Sequence, residues 1–185
     1  MNYRTALATA TIVIAGVLVG FGSDEAHGAD ARALEQDART ALDRLQKSTP
    51  AARDLSKRAK GILVFPSVVK AGLMIGGQYG EGVLFRGGKV AGFFNTAGAS
   101  YGLQAGAQSF AYAFYFMNED ALKYLGKSEG FEIGTGPSVV VMDDGMAKQT
   151  STTTLSQDVY AFIFGQSGLM AGLGVQGNKI TKIKK

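Results

Sequence analysis

The 185-residue sequence predicts an α+β fold: N-terminal helices packed on a glycine-rich, mainly antiparallel β-sheet or barrel-like sheet. Three observations carry that expectation. Apolar residues recur at helical spacing up to about residue 60 and at strand spacing beyond it. Turn doublets punctuate the second region. Most of the 26 glycines also fall there, in short apolar runs. The length suits one domain, and 46% hydrophobic against 18% charged residues permits a packed core and excludes global disorder.

Met1 to Gly28 reads as a targeting segment. Arg4 gives a positive start, Thr5 to Phe21 is nearly uncharged and apolar, and polar residues then return. Ala26-His27-Gly28 places small residues where a signal peptidase inspects the chain, so cleavage is expected before Ala29. The apolar stretch falls short of the ~20 residues a spanning helix needs, which argues against a retained anchor. The expected division is a signal peptide over 1–28 and one domain over 29–185, exported to the periplasm or secreted. Residues 1–28 hold one basic and two acidic side chains, so 29–185 keeps 18 basic against 13 acidic, a net charge of +5. That sign favours anionic surfaces such as phospholipid headgroups, and export removes the protein from most nucleic acid.

Asp30 to Lys47 predicts a helix with Leu34, Ala38, Ala41, Leu42 and Leu45 on one stripe. Thr49 is the expected N-cap of a second helix, with Pro50 at its first position, continuing through Ala51, Leu55 and Ala59 to Gly61 as its C′ residue. Arg53, Lys57, Arg58 and Lys60 cluster on or near this helix. They read either as a solvated helix end or as a headgroup-binding patch.

From Gly61 the period changes. Ile62-Leu63-Val64-Phe65 predicts a buried strand that stops at Pro66. Hairpins are expected at Gly87-Gly88, Asp144-Gly145 and Gly177-Asn178, joined in an antiparallel meander. One helix interrupts it, capped by Asn118, with Glu119 and Asp120 in its first turn, Leu122 and Leu125 facing inward and Gly126 ending it. A pattern recurs at Gly72-Leu-Met-Ile-Gly76, Gly102-Leu-Gln-Ala-Gly106 and Gly168-Leu-Met-Ala-Gly172. Glycine weakens a strand, so its repeated use implies either an element lying close against that face, such as the N-terminal helix, or a sheet bent toward a barrel.

Catalytic chemistry finds little support. There is no cysteine, and the one histidine, His27, lies in the leader. Ser109 and Thr150 to Thr154 therefore lack a base to activate them in the processed chain. Gly76 to Gly82 leads into Val83-Leu84-Phe85, a strand pattern, where a phosphate loop requires a helix N-terminus. Asp143-Asp144-Gly145 lacks the later ligands of a calcium loop and reads as a turn. No enzyme and no cofactor are expected. Lys70 stands among Val68, Val69, Ala71, Leu73 and Met74; it is either an edge-strand residue with a snorkelling amine or a cation offered to an anionic ligand. Lys179, Lys182, Lys184 and Lys185 alternate with Ile180 and Ile183 as a terminal edge strand with one basic side.

Three blocks carry a family resemblance: AKGILVFPSVVKAGLMIGGQYGEGVL from Ala59, GLQAGAQSFAYAFYFMNEDALKYL from Gly102, and VYAFIFGQSGLMAGLGVQGNKI from Val159. Together they make roughly residues 50–183 resemble a SYLF domain, in its stand-alone exported bacterial form. The resemblance implies lipid binding; fungal and animal members are associated with phosphoinositides and actin patches. Its membrane contact, attributed to basic residues, maps here onto Arg53, Lys57, Arg58, Lys60 and Lys70. An anionic phospholipid or membrane surface, phosphatidylinositol-like in the family, is the expected partner. Actin is not expected for an exported bacterial protein. A self-associating structural protein of the cell envelope, a homo-oligomer, is the alternative.

Overall fold

The computed structural model describes residues 23–127, 131–132, 136–142, 157–168 and 178–185. Two long strands dominate them: β1 (Gly61–Arg86) and β2 (Lys89–Phe116). They form one antiparallel hairpin whose turn is Gly87-Gly88, with φ of 55° and 77°, the conformation a two-residue type I′ connection requires. β2 is the central strand. On one side β1 follows it along its length; on the other, β6 (Asn178–Ile183) pairs with Phe93–Gly98 and β5 (Val159–Gly168) with Gln108–Phe116. A two-residue strand, β3 (Phe131–Glu132), borders β6, and β4 (Val139–Met142) borders β5. The expected α+β class with a mainly antiparallel sheet is therefore observed, except that β4 and β5 run parallel, which a pure meander does not allow. The turns expected at Asp144-Gly145 and Gly177-Asn178 involve residues outside the described ones.

The first strand does not stop at Pro66. β1 continues through it because Pro66 sits in a bulge, where Pro66 and Ser67 together oppose Ala111, on a strand whose only described partner is β2. Edge position and bulge are the two settings in which a strand tolerates the missing N–H. A second bulge, on β5 between the Ser109↔Ser167 and Ala111↔Phe164 pairs, flanks the same point of β2 from the other side. Bulges on both neighbours bend the sheet there.

The hairpin also folds over upon itself. A Cβ placed on Gly80 would lie 2.7 Å from the Ser67 carbonyl oxygen and from Val68 Cγ2; one on Gly82 would lie 2.6 Å from the Phe65 ring and from the Val64 carbonyl oxygen. Residues 80–82 of β1 thus press directly on residues 64–68 of the same strand. Gly80 and Gly82 stand outside the three recurrent patterns, and the partner of their close approach is β1 itself, with no helix between. Of the three recurrent patterns, the first two pair with each other, Gly72 opposite Gly106, and the third runs beyond the described residues.

Helices α1 (Ser23–Ser48) and α2 (Pro50–Ser56) cover the outer face of the sheet. Ala38, Ala41 and Leu45 are buried with Leu34 and Leu42 packed beside them, the stripe expected from the spacing, against Val64, Val83, Phe85, Tyr115 and Phe162. α1 runs continuously through Gly28 and Ala29. Pro50 occupies the first turn of α2, but Thr49 makes no side-chain cap bond and is buried instead. α2 ends earlier than expected, with Lys57 at its C-cap; Gly61 is the first residue of β1, where its bare α-carbon makes room for Leu122. The inner face holds Leu63, Phe65, Phe110, Phe114, Phe94 and Ile180, closed by Leu122 and Leu125 of α3 (Glu119–Leu125). Alternate residues of β2 serve the two cores in turn, as strand pleating dictates.

α3 forms as its sequence predicts, with Asn118 Oδ1 accepting from Ala121 N at 2.8 Å and Gly126 at the C-cap. Asn118 Nδ2 donates to Asp158 (2.7 Å), whose other carboxylate oxygen accepts from the backbone N–H and hydroxyl of Ser138. These donors, the Ser138 backbone first, hold the Asp158 carboxyl below the usual carboxylate range. No helix among the described residues is long and apolar enough to cross a membrane.

Two outcomes follow from these contacts. Gly82→Ala should lower stability by about 2 kcal/mol, since a methyl group there meets backbone, whereas Gly77→Ala, where a Cβ finds nothing nearer than 4.0 Å, should stay within ~0.5 kcal/mol of the parent in urea unfolding. Asp158→Ala should cost about 1 kcal/mol at neutral pH, discounted for solvent screening. A depressed carboxyl stabilises fully above its unfolded value of about 3.9 and loses that contribution as pH falls through the folded value. The gap between parent and Asp158→Ala should therefore narrow on acidification, read by denaturant titration along a pH series.

Candidate functional site

The chain emerges from α2 into a short basic connection because Lys57 and Arg58 continue as a turn before β1 begins. Arg53, Lys57, Arg58 and Lys60 are all exposed. Lys57 pairs with Asp54 at 2.9 Å, and its hydrogen bond holds the Asp54 carboxyl below the usual range. With the two side chains 69% and 43% exposed, water competes strongly and the pair is weak. A cleft of about 440 Å³ adjoins this connection, between α1, the end of α2 and the Gly87-Gly88 turn. Leu42, Ala59, Ile62 and Phe85 line it with apolar surface, and Arg39 and Lys57 stand among its walls.

Arg39 was not singled out by the sequence, where it falls on the polar side of α1. Its guanidinium bonds Glu35 at 2.8 Å, donates to the Gly88 carbonyl at 3.1 Å and lies 4.7 Å from the Phe85 ring centre. The spacing from Glu35 was visible in sequence; the turn it grips, 49 residues away, was not.

Lys70 is placed differently from the other four cations. Only 1% of it is exposed, and it faces the interior of the folded hairpin opposite Gln108, ten residues along β1 from Lys60, or about 30 Å of extended strand. The snorkelling amine expected of an edge lysine is therefore not observed, although β1 is an edge. Alternation accounts for it: the Pro66–Ser67 bulge keeps Phe65, Val68 and Lys70 on one face, and that face is the buried one.

Lys70 belongs to a second group. Gln78, Thr96, Gln108 and Asn178 are also buried on this inner face, at 7% exposure or less. Gln78, Gly98 and Asn178 form one row across β1, β2 and β6. Their amides face the hydroxyl of Tyr112, whose burial pushes its pKa up to about 12. Gly98 makes room for its neighbours in the row, since the Asn178 side chain occupies the place a Cβ there would take. Gln78 Nε2, Gln108 Oε1 and Asn178 Nδ2 are buried without a hydrogen-bond partner among the described residues.

At the C-terminus Lys179, Lys182 and Lys184 are exposed and Ile180 is buried, but the unbroken register of β6 puts Lys182 on the face of Ile180 and Lys179 on the opposite one, so the single basic side expected of this strand does not form. β6 is not a free edge either, because β3 pairs with it at Lys179 and Ile180. Lys185 bonds Glu81 and, as the strongest influence on it, lowers that carboxyl's pKa. Gly76 to Gly82 lies wholly within β1, so no phosphate-loop geometry exists there. Among the described residues no group of three or more histidine, cysteine or carboxylate side chains could hold a metal ion.

The family model described as "Ysc84: Las17-binding protein actin regulator" matches residues 97–185, from the middle of β2 to the last residue. The match takes in the second and third of the SYLF-like blocks; the first precedes it. None of the curated proteins matches the chain. β2, α3, β5 and β6 carry the matched stretch, and residues 97–185 match the Ysc84, or SYLF, family model, the same family that the sequence resembles.

Proposed function

We propose that this is a non-enzymatic lipid-binding protein, exported to the periplasm or secreted, that docks reversibly on anionic phospholipid through Arg53, Lys57, Arg58 and Lys60. One observation carries the reading: Lys57, exposed like Arg53, Arg58 and Lys60, stands with Arg39 in the wall of a cleft to which Leu42, Ala59, Ile62 and Phe85 give an apolar lining. A headgroup phosphate satisfies the cations while the apolar lining accepts the adjoining glycerol or acyl carbons. Each basic side chain near an anionic surface contributes about 1 kcal/mol, enough for four to hold the protein without fixing it there. The interaction is screened by salt because the cations are exposed. Las17 and actin are named in the family description and are not carried over to this chain. The leader sequence supports export for this chain.

Self-association is the second reading. It is favoured by the outer edge of β1, which has no strand partner among the described residues, and by Val69 and Tyr79, which stand 54% and 51% exposed on that strand.

Vesicle co-sedimentation separates the two. Binding should require anionic lipid and weaken steadily with salt. The triple variant Lys57→Gln, Arg58→Gln, Lys60→Gln should bind about 100-fold more weakly, the equivalent of roughly 1 kcal/mol for each charge removed. Equal binding to neutral vesicles, or an unaffected variant, rules out electrostatic docking. A concentration-dependent oligomer in lipid-free light scattering supports the second reading, and a monodisperse monomer counts against it.

A further inference from the structure

The surface cations leave the interior polar group unexplained. Its position follows from the way β1 crosses itself. Gly82 lies on Phe65 and Gly80 on Ser67 and Val68. The next inward-facing residue beyond each glycine and its partner is Gln78 on one limb and Lys70 on the other, so the same crossing brings these two toward each other. Gln108 stands opposite Lys70, and Asn178 and Thr96 lie on the Gln78 limb. Tyr112 points its hydroxyl at Gln78 and Asn178 from the facing limb.

Purely structural polar groups in a core satisfy one another. Here they do so only in part: Gln78 and Asn178 both approach the one Tyr112 hydroxyl, while Gln78 Nε2, Gln108 Oε1 and Asn178 Nδ2, on side chains 93% or more buried, complete no hydrogen bond of full geometry among the described residues. Leaving a buried donor or acceptor unfilled is destabilising, and an apolar residue at any of the three positions removes that penalty. The bordering residues do not explain the group either, because Phe65, Phe110 and Ile180 next to it are apolar.

We infer that the inner face between Lys70, Gln78, Gln108, Tyr112 and Asn178 is a binding site for a small hydroxylated phosphate ester of the glycerol-phosphate kind. The chemistry of the donor set selects that class. Two amide N–H groups with a buried ammonium and a phenol suit phosphate oxygens. The unfilled Gln108 oxygen needs a donor, which a neighbouring hydroxyl of the ligand supplies. The ester's source is either a free metabolite or the headgroup of a phospholipid, and the site is independent of the surface docking proposed above.

Thermal unfolding of the full chain tests this. sn-Glycerol 3-phosphate at a hundredfold excess over its Kd should raise Tm by about 5 °C or more, whereas glycerol, or sodium chloride at matched ionic strength, should not. Gln78→Leu with Asn178→Leu should abolish that rise and, by removing unfilled amides, leave the ligand-free Tm equal to or above the parent's. Lys70→Met should abolish the rise by itself. No ligand-dependent rise in the parent, an equal rise with inorganic phosphate, or an undiminished rise in the variants overturns the assignment. So does a fall in ligand-free Tm in the double leucine variant, which would mark the amides as structural. Competition by short-chain phosphatidylglycerol at the same site supports a lipid source, and its absence supports a free ester. Loss of vesicle docking without loss of the Tm rise would refute the surface reading alone.

Discussion

The close crossing of β1 over its own first half is the constraint on which the remaining architecture depends. A strand 26 residues long cannot stay straight in a domain of this size, and folding it back demands that two backbones approach within the reach of one side chain. Gly80 and Gly82 permit that approach against Ser67, Val68 and Phe65. Everything inside the fold follows from it. The inner core of Phe65, Phe94, Phe110 and Ile180 exists because the two limbs face each other. The outer core exists because the convex side then presents Val64, Val83 and Phe85 to the helices.

Much of this was legible residue by residue wherever the determining contacts are local. The Gly87-Gly88 turn, the Ala38–Leu45 stripe and the Asn118 cap all depend on neighbours within a few positions, and each forms as its spacing indicates. Pro66 was misleading because its tolerance depends on whether the strand is an edge and whether it can bulge at that point against its partner, neither visible locally. Lys70 was misleading for a related reason. A bulge of one residue sets which face it occupies, and hence whether its amine meets water or the core.

The candidate sites divide along the same line. Arg53, Lys57, Arg58 and Lys60 could be found as a run of like charge. The cleft beside them and its Arg39 could not, since it is assembled from α1, the end of α2 and a turn 49 residues from Arg39. The inner amides were further still from view. Gln78 and Asn178 are 100 positions apart and meet only through Gly98 of the strand between them. Export and lipid docking rest on the leader and the charge pattern, and the family match over residues 97–185 is consistent with a lipid-binding or actin-related module.

The position of β6 has a consequence for how the chain matures. Its six residues complete the row that holds Gln78 and Gly98, yet they follow β2 far along the chain, since Gly98 pairs with Asn178 and Phe93 with Ile183. The β1–β2 hairpin zips from its own turn, and contacts near in sequence form ahead of distant ones. The folding chain therefore carries a formed hairpin with an unsealed polar seam until β6 docks. Loss of β6 leaves that seam open while sparing the turn and the outer helices, so damage to this strand strikes the interior of the protein before it strikes its surface.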